Sequence, residues 1–363
     1  MSKKTALMWN IMFIGIILLI PLSYLFTKGK LNNENYENRE LAQFPVLSLE
    51  TFERFPQGIS DYVDDHFPYK NQAVNANSYF EYKFLDTSAN DGVVIGQDDW
   101  LFYKGEDGKA YLEYKRIKQY TDEELELLTS KMMALKDKAE GVGAQFIVMI
   151  VPNKETVYSE YMPARVKVGD MESSTDQLVN FIRNNTDINI IWIKDDLINA
   201  KSEANFDGRI IYQKTDTHWN ELGAYVGVKR LFDELSISAP ELSEIAISDS
   251  EVSSTDLSNM IGITKQLKSK DNCYKVDSIE DDFTVLTEEI DGLLEYENTD
   301  KDDRRIMFLR DSFTLQMRRF IADKFNYCYL QHHNQFDESQ IDEVRPDIFV
   351  LELGERRIDT LLN

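Results

Sequence analysis

Phe146-Ile147-Val148-Met149-Ile150-Val151 is an unbroken apolar run. A strand with one wet face alternates apolar and polar residues, so a run with no polar position predicts a strand covered on both faces, as in a parallel sheet. Its surroundings agree. Upstream, Thr121-Asp122-Glu123-Glu124 has the form of a capping box, and Leu125, Leu128, Met132, Leu135 and Ala139 continue one helical face as far as Gly141 and Gly143. Downstream the alternation repeats: a helix near 175–183, a strand at 188–193, a helix at 195–203, a short strand at 209–212 and a helix from Asn220. Further on come a strand at 306–309, a helix at 314–322, and strands at 327–330 and 348–353. Strands alternating with helices imply right-handed crossovers, hence an α/β fold with a parallel central sheet flanked by helices. The stretch 245–303 breaks the pattern. It is acidic, Ser-rich and poorly periodic, and is read as either an insertion or a substrate-facing flap, the flap being preferred.

The chain has 363 residues, enough for one large domain or two small ones, and 42% hydrophobic content excludes a disordered composition. A net charge of -24 argues against nucleic acid as a partner, because phosphate recognition needs clustered cations. Residues 6–26 are apolar over a length that crosses a bilayer, which takes roughly 20 residues. Lys3 and Lys4 precede them and no small-x-small cleavage site follows, so an uncleaved anchor is expected rather than a removed signal peptide. Lys28 and Lys30 weaken the positive-inside argument, and the orientation rests on the bulk that follows: a short tail inside, the remainder outside the cell membrane. The expected organisation is a cytoplasmic tail and single transmembrane helix at 1–27, a spacer and N-terminal extension at 28–119, and a catalytic domain at 120–363 with an insertion near 245–303. Within the extension, Val93-Val94-Ile95-Gly96 and Trp100-Leu101-Phe102-Tyr103 flank an Asp-Asp turn as a hairpin. Cys273 and Cys328 are too few and too far apart to make a framework, and either pair or stay as buried thiols.

Chemistry enters at Lys214-Thr215-Asp216-Thr217-His218-Trp219-Asn220. Asp216 stands two residues before His218, one of only four histidines, on a turn that opens a helix carrying Leu222, Tyr225, Val228 and Phe232 on one face. Such a turn lets the carboxylate hold one imidazole nitrogen and leaves the other as a base. The matching hydroxyl is Ser312, in the strand-turn-helix pattern of Arg305-Ile306-Met307-Phe308-Leu309-Arg310-Asp311-Ser312-Phe313, which exposes a serine at the carboxyl edge of a parallel sheet. Pro152-Asn153-Lys154-Glu155 and Gly354-Glu355-Arg356-Arg357 follow other strands and reach the same edge. Acyl transfer then assigns Ser312 as nucleophile, His218 as base and Asp216 as the group that fixes its tautomer. The Ser312 N–H is the natural first oxyanion donor, with Arg310 or Lys154 as sources of positive charge and Asn153, Glu355 and Arg356 as further oxyanion or substrate-binding candidates. No metal and no cofactor is required. His332 and His333 are expected to point to opposite sides of an extended chain as structural residues.

These motifs, with Glu37-Asn38-Arg39-Glu40-Leu41-Ala42-Gln43-Phe44-Pro45, Asp65-His66-Phe67-Pro68 and Arg345-Pro346-Asp347, make a sequence that resembles the SGNH-hydrolase-like O-acetyltransferases of the alginate O-acetyltransferase AlgJ/AlgX type, including the DHHW proteins. The resemblance implies an SGNH-hydrolase-like fold in permuted order, since the Asp-x-His element precedes the serine. It also implies Ser312, His218 and Asp216 as the catalytic set, a polysaccharide acceptor, and a multispanning membrane acyltransferase as the acetyl donor system. Arg310 stands where many SGNH proteins carry Gly, and Thr217 where the DHHW name has its first His. Three functions are therefore carried forward: transfer of acetyl to hydroxyls of an exported or cell-wall polysaccharide, hydrolysis of carbohydrate O-acetyl esters at the same site, and a non-catalytic scaffold.

Overall fold

The computed structural model describes residues 3–31, 40–105, 109–203, 208–252, 255–268, 271–279, 281–299 and 301–362. The chain divides into two compact units, Met1–Ala89 with Asn259–Ile263, and Asn90–Ser258 with Thr264–Asn363. In the first unit, helix Lys3–Thr27 has 25 residues and so runs about 38 Å. Among the described residues it is the one helix long and apolar enough to cross a membrane. Its last turn is tied to Tyr69, whose hydroxyl lies 2.8 Å from Thr27 Oγ1 and donates to Ser23 Oγ at 3.0 Å. Helices Phe55–Asp65 and Lys70–Phe80 complete this unit, and His66 stacks on Tyr62 with ring centroids 4.1 Å apart. Glu37 to Arg39 of the first family-like motif lie outside the described residues.

The second unit opens with the expected hairpin, β1 (Val93–Ile95) and β2 (Leu101–Tyr103). Its main sheet has seven strands, built around β3 (Gln145–Val151) and β4 (Asn189–Trp192). The stretch read as a flap contains a separate two-stranded sheet of β5 (Ile247–Ser250) and β6 (Cys273–Val276), then β7 (Thr284–Ile290) and β8 (Leu293–Glu297). Finally come β9 (Asp302–Arg310), β10 (Phe325–His332) and β11 (Ile348–Gly354). The order is β4-β3-β11-β9-β10-β8-β7, parallel from β4 to β10 and antiparallel in the last two. The expected parallel sheet is thus present, with one correction, that an antiparallel pair extends its edge. The cause is Asp291-Gly292, a two-residue loop with φ of 50° and 74°, which joins β7 and β8 as positive-φ hairpin turns do.

Burial follows the strand period on both faces. Ile147, Met149 and Val151 enter one core cluster while Phe146, Val148 and Ile150 enter the other, and β9 and β11 alternate in the same way. The predicted strand at 209–212 is a second correction. Tyr212 makes only an isolated bridge to Trp219, and main-chain bonds from Asn220 to Ile211 (3.1 Å) and Gln213 to His218 (3.1 Å) fold the segment back on its own loop. His332 and His333 differ from expectation too: β10 ends there and the two rings stack at 4.3 Å. Cys273 and Cys328 are both buried and are not joined in a disulfide.

Two features hold the loops at the carboxyl edge. Helix Glu221–Glu234 lies so close to its preceding loop that a Cβ on Gly223 would fall 2.3 Å from the Ile211 carbonyl oxygen, and one on Gly227 2.9 Å from the Trp219 ring. After β9, two buried acids grip the turn. Glu352 Oε2 accepts the Asp311 N–H at 2.9 Å and the Thr314 hydroxyl at 2.8 Å, while Asp311 accepts the N–H groups of Phe313 and Gly354, both at 2.8 Å. Burial, reinforced by the Asp311 charge, pushes the Glu352 carboxyl well above the usual range.

Two stability measurements check this arrangement. Gly223→Ala should cost about 1–3 kcal/mol of overpacking, lowering Tm, whereas Gly141→Ala, with nothing within 4 Å of the new Cβ, should not; equal Tm values for the two would refute the close approach. For Glu352 the folded state keeps a proton that the unfolded chain loses above about pH 4.3, so its contribution to stability falls as pH rises from there toward its raised folded value. Glu352→Gln removes that term. The Tm of the variant relative to the parent should therefore climb between pH 4 and pH 7, and a constant difference would contradict a protonated Glu352.

Candidate active site

The loop that carries the histidine is assembled from below. Lys154, almost fully buried, donates from Nζ to the carbonyl oxygens of Gln213 (2.9 Å), Lys214 (3.0 Å) and Asp216 (2.5 Å). Asp271 accepts the N–H of Lys214 at 2.8 Å and both the N–H and hydroxyl of Thr215 at 2.7 Å. Asn220 then caps the helix, its Oδ1 accepting from the N–H groups of Leu222 (3.1 Å) and Gly223 (3.2 Å). These contacts leave the backbone of 213–220 little freedom to move. Asp216 is fully buried inside it.

Asp216 Oδ1 lies 2.7 Å from His218 Nδ1 and also accepts the His218 N–H at 2.9 Å. The other imidazole nitrogen, Nε2, stands 2.7 Å from Ser312 Oγ. The two loops are fastened together by the Trp219 indole, which donates to the Phe313 carbonyl at 3.0 Å, and by Phe313 packing against the His218 ring at 5.0 Å. Ser312 and His218 are partly exposed, so a hydroxyl, a base and a buried carboxylate form a continuous relay that opens to solvent at its serine end. That arrangement can deprotonate Ser312 as it attacks a carbonyl and stabilise the imidazolium that results.

The remaining sequence candidates divide. Arg310 and Lys154 were weighed as charge for the oxyanion, and both point into the structure. Arg310 is 1% exposed and donates to the carbonyls of Gly292 (3.0 Å), Asp311 (3.3 Å) and Leu330 (3.4 Å) and to Glu289 Oε1 (3.0 Å), so it anchors the β7–β8 turn. Burial lowers the Lys154 ammonium to about 8. Asn153 gives its N–H to Glu355 Oε2 at 2.7 Å, yet both polar atoms of its buried side-chain amide lack a partner among the described residues. Arg356 lies 4.9 Å over the Phe313 ring and donates to Thr217 Oγ1 at 3.2 Å, which brings a guanidinium beside the relay. Glu355 is buried and accepts from Thr156 as well, and burial together with the Glu113 charge raises it to about 8. Glu155 is raised to about 7 by burial.

Sequence reasoning passed over Asp311, Glu352 and Asp256. Glu352 had a signal, being the one acid inside the apolar run of β11, whereas Asp256 sits in the aperiodic stretch and had none. Asp216, His218 and Asp256 bring ligand-type atoms within 4.8 Å of one another. The 2.7 Å between Nδ1 and Oδ1 is a hydrogen-bond distance, shorter than the about 3.3 Å between two ligands each about 2.0 Å from a tetrahedral ion.

The chain is similar to several known proteins. Two curated relatives are described as "Probable alginate O-acetylase AlgJ". That of Pseudomonas fluorescens is 27% identical over 187 residues, 52% of this chain and 44% of the relative. That of Pseudomonas syringae pv. tomato is 23% identical over 252 residues, 66% of this chain and 55% of the relative. The chain thus spans about half the length of the curated relatives it matches. Among solved structures, Bacillus cereus PatB1 with a sulfonyl adduct superposes with a TM-score of 0.53 at 13% identity, covering 73% of this chain and 95% of that one. A DHHW family protein from Eubacterium siraeum gives 0.52 at 18% identity, covering 75% and 95%. These likenesses show a fold shared with those two proteins. The sequence model described as "SGNH hydrolase-like domain, acetyltransferase AlgX" matches residues 93–315, more than half of the 363, and the chain therefore belongs to that family.

Proposed function

We propose that this protein is a membrane-anchored extracytoplasmic O-acetyltransferase that carries an acetyl group on Ser312 and passes it to a hydroxyl of a polysaccharide. The observation that carries the reading is the relay itself, with 2.7 Å from Ser312 Oγ to His218 Nε2 and 2.7 Å from His218 Nδ1 to Asp216 Oδ1. Ser312 attacks the acetyl carbonyl while His218 takes its proton, and the imidazolium returns that proton to the leaving group. A sugar hydroxyl then gives its proton to His218, attacks the acetyl-serine and leaves as the acetyl ester, restoring Ser312. The oxyanion is received by the Ser312 N–H and the unpartnered Asn153 amide. Arg356, stacked on Phe313, orients the substrate.

The acceptor is supported by the names of the AlgJ relatives and by a cleft of about 280 Å³ among Phe283, Tyr296, Leu315, Gln316 and Arg318, where Leu315 bonds back to the Ser312 carbonyl at 3.3 Å. Helix Lys3–Thr27 holds the chain in the membrane, beside a multispanning acyltransferase that supplies acetyl from the other side. The 28–119 extension acts as spacer and the insertion near 245–303 shapes the substrate side. Hydrolysis is the competing outcome, because the His218 side chain keeps 20% exposure and water reaches it.

Three measurements follow. Incubating the full chain with a chromogenic acetyl ester should add one acetyl to Ser312 by intact mass, absent in Ser312→Ala and His218→Ala, and a sugar oligomer should carry it off as product. Acetate alone in the presence of the oligomer would make the protein an esterase, and no adduct with no turnover in folded protein would leave a scaffold. Asn153→Ala should lower kcat on the order of 100-fold or more as an oxyanion donor is lost; an unchanged rate would remove Asn153 from that role. Turnover should also be lost in His218→Gln, whose side chain is polar but cannot take the serine proton, and parental turnover in that variant would point to another base.

A further inference from the structure

The stretch between the histidine and the serine returns one side chain to the relay that the mechanism above leaves unused. Asp256 opens helix Asp256–Met260, and its main-chain N–H donates to Asp216 Oδ2 at 2.9 Å, the carboxylate oxygen that does not face the imidazole. Its own carboxylate turns back on the neighbouring residue. Oδ1 accepts the Thr217 N–H at 2.8 Å and Oδ2 accepts the Thr217 hydroxyl at 2.6 Å. Asp256 Oδ2 is also 3.9 Å from His218 Nδ1, and the Thr217 hydroxyl is 3.2 Å from the same nitrogen. On its other side Thr217 Oγ1 accepts from Arg356 at 3.2 Å.

The middle residue of Asp216-Thr217-His218 is therefore held from both sides. That restraint has a physical purpose. Lys154 fixes the turn from beneath, through carbonyl groups, and Asp216 Oδ1 meets Nδ1 at 2.7 Å, a single contact about which a partly exposed imidazole could rotate out of line with Ser312. Asp256 closes that side with a carboxylate, and Thr217 supplies the hydroxyl that bridges it to the ring and to Arg356.

We propose that Asp256 is a positioning residue for the His218–Asp216 pair, acting through the hydroxyl and N–H of Thr217 to keep the imidazole aligned with Ser312. The inference rests on the reading of Ser312 as the acylated nucleophile. The charged and titratable groups facing Asp256 are Asp216, His218 and Lys154, and burial followed by the Asp216 charge raises its carboxyl above the usual range. In either protonation state the side chain offers an oxygen to Thr217, so the alignment depends on its oxygens.

The test uses the full chain in detergent with histidine labelled by nitrogen-15, read by ester turnover and by the downfield proton on His218 Nδ1. Asp256→Ala should lower kcat on the order of 100-fold, the scale of a displaced catalytic group, with little change in KM. Thr217→Val should do the same, Thr217→Ser should recover activity, and the Asp256→Ala, Thr217→Val double variant should be no slower than the slower single, because both break one linkage. The Nδ1 proton should be resolved in the parent and broadened in folded Asp256→Ala. Folded Asp256→Ala with parental kcat and a parental Nδ1 signal would overturn the assignment. If the parent itself shows neither acetyl adduct nor turnover, the acylation reading fails, and the Nδ1 signal alone still decides whether Asp256 holds the ring.

Discussion

A carboxylate with no solvent exposure is costly unless each oxygen finds donors, and Asp216 is such a group at the centre of this protein. It accepts two N–H groups, those of His218 and Asp256, and faces the imidazole at 2.7 Å. Satisfying it therefore fixes three things at once: the turn that carries His218, the start of helix Asp256–Met260, and the ring nitrogen that must bear the proton. The free nitrogen is left pointing at Ser312. Lys154 completes the support by neutralising carbonyl groups beneath the loop, a role that needs a long cation buried under it.

The serine side obeys a parallel logic with different chemistry. Its turn is held by Asp311 and by Glu352, whose carboxyl is pushed well above the usual range by burial and the Asp311 charge. Gly354 has to lack a side chain there, since a Cβ would fall 2.8 Å from Asp311 Oδ2. Two loops, each rigid for its own reason, are then locked by the Trp219 indole on the Phe313 carbonyl. The alignment of Ser312, His218 and Asp216 is thus set by the protein's own contacts, the kind of preorganisation that lets aligned groups lower a barrier without reorganising.

Much of this was legible in the sequence because burial leaves a pattern. The run 146–151 feeds both core clusters in alternation, so it could have no polar position, and the two turns that carry His218 and Ser312 each precede a helix with a clear apolar face. The segment 209–212 misled for the same reason. Ile211 and Tyr212 are as buried as strand residues, but their partner is their own loop, which burial alone does not distinguish. β7 was invisible because it is exposed at every position except Thr287, although Asp291-Gly292 marked its turn. Arg310 lies at the expected edge but turns inward to Glu289 and Gly292, since nothing in a sequence says which way a side chain next to Ser312 will point.

If the 2.7 Å contact from His218 Nε2 activates Ser312, that hydroxyl alone should react with an electrophile. The most direct measurement is peptide-mapped labelling of the full chain with a small sulfonyl fluoride. The label should fall on Ser312 and vanish in His218→Ala. Labelling of another residue, or of Ser312 at an unchanged rate without the imidazole, would contradict it.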